Sequence, residues 1–523
     1  MTQTFIGYKP GIGPVLKCLK YDADDPLTLP NTAYERYLYN SENHKLSYAA
    51  TTLPFSCDWG SVNALPSDFD LYDGVVGPVI SGARGSGTTL KDCTFVYRPS
   101  YILPDGYYPP IIELREKSFN TGRIIATISN SENYPVAGTR SIINYQYKYQ
   151  MMRVSSYDTS ITTQTLPATY NGRLWNRLSR IPIGEWIAIA QPPYVYSDNR
   201  SSTQVFSYLW DLPADSTPLR SYNYVPDLFA MHISSERFAL SRPGFDVNSP
   251  VSYSQIINSD KAPNLCIMSG TIQGLANGQS VTITPPPGIA LSETAVLDFM
   301  VKRSGDPWYV PGIIHVDESD FETKRLEYQV VGNSMVLYNI NAETLDFRYA
   351  VFNVDRNGTS AGGTEVMFRG NDGTRDFFQI KKPGTSDPAT KPNDILFDSR
   401  FPNMQIIDDG FIPASEFYNS TPSESMRFGT KKYTKSFSNG GFLPFLKFMI
   451  VFPNCITTPY HETFRTTGLT PSNTSCIARL DDDNSVTFFI SPGNPSFNIS
   501  GEIKGGAPDP IGIRYYIFGI APN

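Results

Sequence analysis

The sequence predicts a mainly β protein, built of several β-sandwich or β-barrel-like modules with few short helices. Aromatic residues make up 13% of the chain, with 32 Tyr and 31 Phe, and such side chains suit the pleated surface of a sheet. The 42 Pro and 39 Gly interrupt helices and supply turns. Short apolar runs bounded by Pro, Asn, Asp and Gly recur along the chain, the pattern of strands joined by tight turns. At 523 residues the chain exceeds the roughly 250–300 residues one core can serve. The expected division is a β-rich region over 1–260, a β-domain over 261–430, and a C-terminal β-section over 431–523 that could belong to the same domain.

Residues 1 to 60 read as irregular, with turn signals at Lys9-Pro10-Gly11 and Pro26. One short helix is expected over Thr32–Leu38, where Thr32 can cap against Glu35 and Tyr34, Tyr37 and Leu38 share a face. Strands are expected at Val75–Ile80, Cys93–Tyr97, Arg123–Ile128, Ser141–Met151, Trp186–Ala190 and Gln204–Trp210. Within them, Ile143 to Tyr149 alternates with period two, as in a sheet with two different faces. Their spacing is irregular and shows no clean repeat, against a propeller or a β-helix. The polar stretch 257–263 marks the first boundary. Beyond it, alternating strands flank Asn277-Gly278, a strong short-range hairpin signal. Strands continue at Gly312–Val316, Arg325–Val331, Ser334–Ile340, Phe442–Phe452, Ser485–Ile490 and Ile511–Ile520. In the last, Ile511, Ile513, Tyr515, Ile517 and Gly519 fall on one face, with Arg514, Tyr516 and Phe518 on the other. Such a strand docks into a sheet and orders the terminus.

Net charge is -7 with pI near 5.3. No block of Lys or Arg provides the electrostatic footprint of a nucleic-acid-binding protein. The six cysteines are scattered, without a C-x-x-C pair, and read as buried free thiols of a chain folded in a reducing cytoplasm. The N-terminus has neither the basic nor the apolar region of a signal peptide, and no apolar run is long enough to span a membrane.

Chemical motifs fall short of their requirements. Gly82–Thr89 follows a strand in the manner of a phosphate-binding loop, but Thr88 stands where the Lys is needed and another strand follows. Asp68, Asp70 and Asp73 miss the spacing of a calcium loop by one place, and Asp481-Asp482-Asp483 reads as a hairpin tip that could hold Ca²⁺ weakly. His315 and Asp317 share a strand face, which could serve a metal or proton transfer but needs no such role. Two aromatic clusters, around Tyr101, Tyr107 and Tyr108 and around Trp175, Trp186 and Tyr194, could stack on sugars, meet a partner subunit or fill a core. No catalytic residue, no metal site and no cofactor is expected.

Two stretches stand apart. Phe347-Arg348-Tyr349-Ala350-Val351-Phe352-Asn353 ends in Asn357-Gly358, and Ile395-Leu396-Phe397-Asp398-Ser399-Arg400 stops abruptly in polar residues. This pair resembles tail-associated proteins of long-tailed bacteriophages, in which an aromatic-Asn strand precedes an F-D-S-R strand in a compact β-domain. The resemblance covers about Leu345 to Phe411. It implies a non-enzymatic virion protein of the distal tail (tip, baseplate or fibre), made in the bacterial cytoplasm. Implied partners are other tail proteins and copies of itself in trimeric or hexameric symmetry, with a host receptor or glycan as a further contact. No nucleic acid and no membrane insertion is implied. Tyr349, Phe352, Asn353, Phe397, Asp398, Ser399 and Arg400 match the pattern, and a structural role is expected for them, with Asp398 and Arg400 bonding turn backbone. A receptor- or glycan-binding protein proper, a capsid decoration or head-fibre protein and a glycan-degrading enzyme are the alternatives.

Overall fold

The computed structural model describes residues 3–33, 36–42, 121–126, 202–213, 228–248, 255–260, 265–293, 295–310, 320–353, 360–402, 404–419, 431–452, 472–491 and 510–520, together with further short strands named below. Strands hold 56% of the described residues and helix 3%, so the chain is mainly β. The helical segments Pro392–Asp394 and Ala414–Glu416 are single 3-10 turns. The sheets are antiparallel and open, and none closes into the barrel that the composition also allowed.

Three large sheets carry the architecture. A seven-stranded sheet runs Ser280–Ile283, Ser334–Asn339, Leu326–Val331, Ile124–Ile125, Pro110–Ser118, Ser202–Pro213, Thr52–Phe55. An eight-stranded sheet runs Met404–Pro413, Gly512–Ile520, Leu443–Phe452, Cys455–Thr457, Tyr149–Arg153, Trp186–Ala190, Lys91–Tyr97, Pro78–Ala83. A nine-stranded sheet runs Leu265–Leu275, Leu345–Asn353, Val296–Lys302, Trp308–Val310, Ser472–Asp482, Ser485–Ser491, Lys431–Ser436, Tyr418–Asn419, with Tyr460–Phe464 also on Ser472–Asp482. Sheet pairing crosses residue 260: Ile124 and Ile125 lie opposite Tyr328 and Glu327.

The nine- and eight-stranded sheets stack as a sandwich. Phe488 of one packs on Phe448 and Tyr515 of the other, at ring distances of 5.3 and 5.5 Å. Trp210, from the seven-stranded sheet, reaches both, with Phe352 at 5.1 Å and Phe518 at 5.5 Å. Lys447 and Asp298, one from each stacked sheet, form a buried ion pair of 3.0 Å, and the ammonium lies 4.2 Å from the Trp210 ring centroid. The final strand, Gly512–Ile520, is buried along its whole length between Met404–Pro413 and Leu443–Phe452. Both of its expected faces are therefore interior. Arg514 is accommodated there by Asp409 at 2.9 Å and the Tyr516 hydroxyl at 3.0 Å.

Three small sheets share a second core. They are Gln3–Lys9 with Gly13–Leu19 and Tyr37–Asn40, Met231–Ile233 with Phe238–Ser241 and Gln255–Asn258, and Met367–Asn371 with Asp376–Lys381 and Ile395–Asp398. Leu16, Tyr39, Phe238, Leu240, Ile257, Phe378 and Phe397 pack together in it.

Three local expectations are corrected. Residues 1 to 60, expected to be irregular, carry the strands Gln3–Lys9, Gly13–Leu19, Tyr37–Asn40 and Thr52–Phe55, the first three paired in one sheet. Tyr37 and Leu38 belong to a strand, so the helix expected over Thr32–Leu38 does not form there; residues 34 and 35 lie outside the described residues. Tyr37 and Tyr39 are buried and the segment pairs with Lys17, Cys18 and Leu19, so sheet pairing outweighs a marginal cap signal. The Asn277-Gly278 turn forms, with Gly278 at φ +72°, but its flanking strands do not pair with each other. Leu265–Leu275 pairs with Leu345–Asn353, and Ser280–Ile283 with Ser334–Asn339 in another sheet. The turn is a corner between two layers. The buried Asn339 amide holds it by donating to the Leu275 carbonyl at 2.7 Å. Gly278 N–H donates to Asn339 O, and Asn339 N–H to Gln279 O.

Candidate functional site

The two motif stretches meet at a third segment that they do not pair with, Pro285-Pro286-Pro287-Gly288-Ile289-Ala290-Leu291-Ser292. Consecutive prolines without N–H groups and a Gly at φ +76° cannot continue a ladder, so the carbonyls and the later N–H groups of this loop need side-chain partners. Asn353, at the end of its strand and fully buried, accepts from Ser292 N–H at 2.7 Å and donates to the Ala290 carbonyl at 2.7 Å. Asn333 does the same one step earlier, accepting from Leu291 N–H at 2.6 Å and donating to the Ile289 carbonyl at 2.9 Å. Arg400 donates to the Pro287 carbonyl at 3.1 Å. The loop side chains Ile289 and Leu291 then enter the larger core.

Arg400 is itself held by Asp398. Its Nε and Nη2 donate to the two carboxylate oxygens at 3.0 and 2.6 Å, a bidentate pair. The Arg400 backbone N–H donates to the same carboxylate at 2.9 Å, which is the turn-backbone bond expected of Asp398. The buried Gln379 amide donates to Asp398 at 2.7 Å and also bonds both ways with the Ala389 backbone. The guanidinium stacks on Phe377, with Cζ 3.8 Å from the ring centroid. Ser399 Oγ accepts from Phe378 N–H at 2.9 Å, tying this strand to its neighbour.

The remaining motif residues are packing contacts. Phe352 lies against Trp210. Phe397 packs between Tyr39 and Phe378, at 6.1 and 6.4 Å. Tyr349 covers Gly270, its cross-strand partner, with its hydroxyl 2.8 Å from where a Cβ would sit. Ile395 belongs to the larger core whereas Leu396 and Phe397 belong to the smaller one, so this strand joins the two. The structure thus brings Asn353, Asp398 and Arg400 to one loop and leaves Tyr349, Phe352, Phe397 and Ser399 outside it. Sequence reading missed Asn333, Gln379 and the Lys447–Asp298 pair. Gly332-Asn333 between two strand runs signals a turn, but nothing local signals that its amide serves another segment.

The arrangement is a latch whose polar atoms are spent on backbone and on each other. The other motifs divide by what is described. Asp481 accepts from Arg479 at 2.6 Å, Asp482 from Asn484 N–H at 2.7 Å and Asp483 from Arg348 at 3.2 Å, so each acid of that hairpin tip has a protein partner. Gly82 and Ala83 close the strand Pro78–Ala83 and another strand, Lys91–Tyr97, follows; residues 84–90 lie outside the described residues. A bulge falls between His315 and Asp317, and their side chains, those of Asp68, Asp70 and Asp73, and both sequence-expected aromatic clusters lie outside as well. Among the described residues no group of three His, Cys, Asp or Glu could hold a metal ion. Cys18, Cys266 and Cys476 are free and buried, and burial pushes the Cys18 thiol up to about 12 and the other two well above the ordinary range, which suppresses thiolate chemistry. No helix among the described residues is long and apolar enough to cross a membrane. Comparison with protein-family models, curated proteins and solved structures finds no match for this chain.

Proposed function

We propose that this chain is a non-enzymatic structural protein of the distal tail of a bacteriophage, at the tip, baseplate periphery or proximal fibre. It assembles with other tail proteins and with copies of itself in three-fold or six-fold arrangement, and supports attachment to the host surface. The observation that carries the reading is the resemblance of Tyr349–Asn353 and Ile395–Arg400 to tail-associated proteins. The geometry of those residues is compatible with it, because Asn353, Asp398 and Arg400 hold backbone together and present no open reactive group. A sandwich of stacked sheets crossed by a buried ion pair suits a part that transmits force without chemistry.

Immunogold labelling of intact particles with antibody against residues 260–523 tests the reading. Label at the far end of the tail is the expected result. Label on heads would reassign the chain to decoration of the capsid, and absence from particles would remove the virion role.

A further inference from the structure

We propose that the strand Met231–Ile233 is a self-association edge, on which a second copy of this chain adds its own Met231–Ile233 antiparallel across a two-fold axis. Among the large apolar side chains exposed in the described residues, Leu228, Phe229, Met231 and Ile233 fall within six consecutive positions. Phe229 is 71% exposed and Ile233 63%. Phe229, Met231 and Ile233 alternate, so they line one face of an extended segment.

The backbone register supplies the second observation. Among the described residues Met231, His232 and Ile233 pair with Leu240, Ala239 and Phe238 on one side only, and the strand is the outer member of its three-stranded sheet. Ser234 N–H donates to Arg237 O and Ser241 N–H to Ala230 O. By the alternation of an antiparallel ladder, Ala230, His232 and Ser234 turn their backbone groups inward, and Met231 and Ile233 turn theirs to the open edge. At Phe229 the edge is closed by the neighbouring loop, since Val247 N–H donates to the Phe229 carbonyl at 2.7 Å. The open edge is therefore short and symmetric about His232. An antiparallel copy centred there places Met231 opposite Ile233 of the other copy, twice, and satisfies four N–H and four C=O groups at once.

The composition favours a second copy over a foreign strand. Edge strands of monomers are commonly blunted by charge, Pro or a bulge, as Arg369 does on the outer strand Met367–Asn371. Leu228-Phe229-Ala230-Met231-His232-Ile233-Ser234-Ser235 contains no Asp, Glu, Lys, Arg or Pro. Identical segments meet themselves without the like-charge opposition that a charged strand would impose on its own copy. The contact is isologous and closes on itself, and it merges the two apolar faces into one. This inference stands on the edge alone and does not require the tail reading; it concerns the isolated chain, whereas the three-fold or six-fold arrangement proposed above concerns the assembled particle.

The test uses the full chain. Light scattering after gel filtration over a range of concentrations is expected to give twice the chain mass, and Ile233→Lys to return it to the single mass with an unchanged far-ultraviolet spectrum. Met367→Lys, on the other edge, is expected to leave the double mass intact. His232→Cys places two Cβ atoms directly opposite at the axis, within disulfide reach, and is expected to give a reducible covalent dimer; Met231→Cys, facing Ile233 of the other copy, is not. A single mass at every concentration overturns the proposal. So does a double mass that survives Ile233→Lys, or one that Met231→Cys links and His232→Cys does not. A chain of single mass whose binding to another particle protein is lost in Ile233→Lys would assign the edge to a foreign strand and overturn it as well.

Discussion

Two buried acid–base pairs in this molecule, Asp398 with Arg400 and Asp298 with Lys447, look alike by charge and differ in how they are assembled. The first joins residues two apart, through bonds of 2.6 and 3.0 Å, at the end of a single strand. Its carboxylate also takes the Arg400 N–H and the Gln379 amide, and its guanidinium reaches the Pro287 carbonyl. The second joins residues on two stacked sheets at 3.0 Å, with Trp210 of a third sheet beside the ammonium. A local pair can form with its turn, whereas the cross-sheet pair exists only once the layers have docked. Both pay to leave water, and the attraction repays this only where remaining donors and acceptors are also satisfied. The difference lies in reach: the local pair organises the backbone of its own turn and of the Pro287 loop, and the distant one links two stacked sheets.

Removing one partner tests this most severely. Asp398→Ala strands the Arg400 and Gln379 donors in the interior and is expected to cost about 3–5 kcal/mol, read from the denaturant midpoint; a loss below about 1 kcal/mol would refute the latch. Lys447→Ala leaves Asp298 buried and is expected to cost a similar amount. Replacing both partners separates the two cases. Asp298→Val with Lys447→Met is expected to return to within about 1–2 kcal/mol of the parent, because apolar groups can occupy the space between sheets. Asp398→Leu with Arg400→Met is expected to stay as destabilised as Asp398→Ala, since Pro287, Gln379 and the Arg400 N–H lose partners that no apolar group replaces. Equal recovery in both would erase the distinction.

Asn353→Ala removes two bonds and leaves a donor and an acceptor of the loop unpaired, an expected loss of about 2–3 kcal/mol. Amide exchange at Ser292 and Leu291 should rise more than exchange in the final strand. Gly270→Ala sets a Cβ 2.8 Å from the Tyr349 hydroxyl. The half-buried ring can swing outward, so the expected cost is near 1 kcal/mol, at the low end for overpacking. Smallest and most local is the response to acid of the N-terminal sheet. Burial pushes the Glu42 carboxyl up, but hydrogen bonds from Lys17, Asn31 and Lys9 outweigh it and hold the group below its ordinary value. A depressed carboxylate contributes stability that is present above its unfolded pKa, about 4.3, and is lost as pH falls through the lower folded value. Amide protection in Gly13–Leu19 should therefore fall below about pH 4 before that of Gly512–Ile520, where no Glu42 contact exists.

Much of the strand inventory was legible because side-chain alternation is a local signal. Trp186–Ala190 has the expected bounds, and the expected strands at Phe442–Phe452 and Ile511–Ile520 differ from Leu443–Phe452 and Gly512–Ile520 by one residue. The Asp398 bond to the Arg400 N–H was legible for the same reason, since partners two residues apart are constrained by the chain itself. Asn333, Gln379 and Lys447 were not. Their partners are Leu291, Ala389 and Asp298, and nothing in a window around an Asn, Gln or Lys reports which distant backbone or charge it will meet.

The sequence by itself determined that the chain is β-rich, where many of the strands lie and which polar residues end the two motif strands, because propensity and period act over neighbouring residues. Only the tertiary structure decided which strands pair, that Asn277-Gly278 turns a corner between layers, that Tyr37 joins a strand, and that Asn353 and Arg400 grip the same loop. Those choices rest on burial and hydrogen bonding between segments far apart in the chain, and the energies that select them exist only when the layers are in contact.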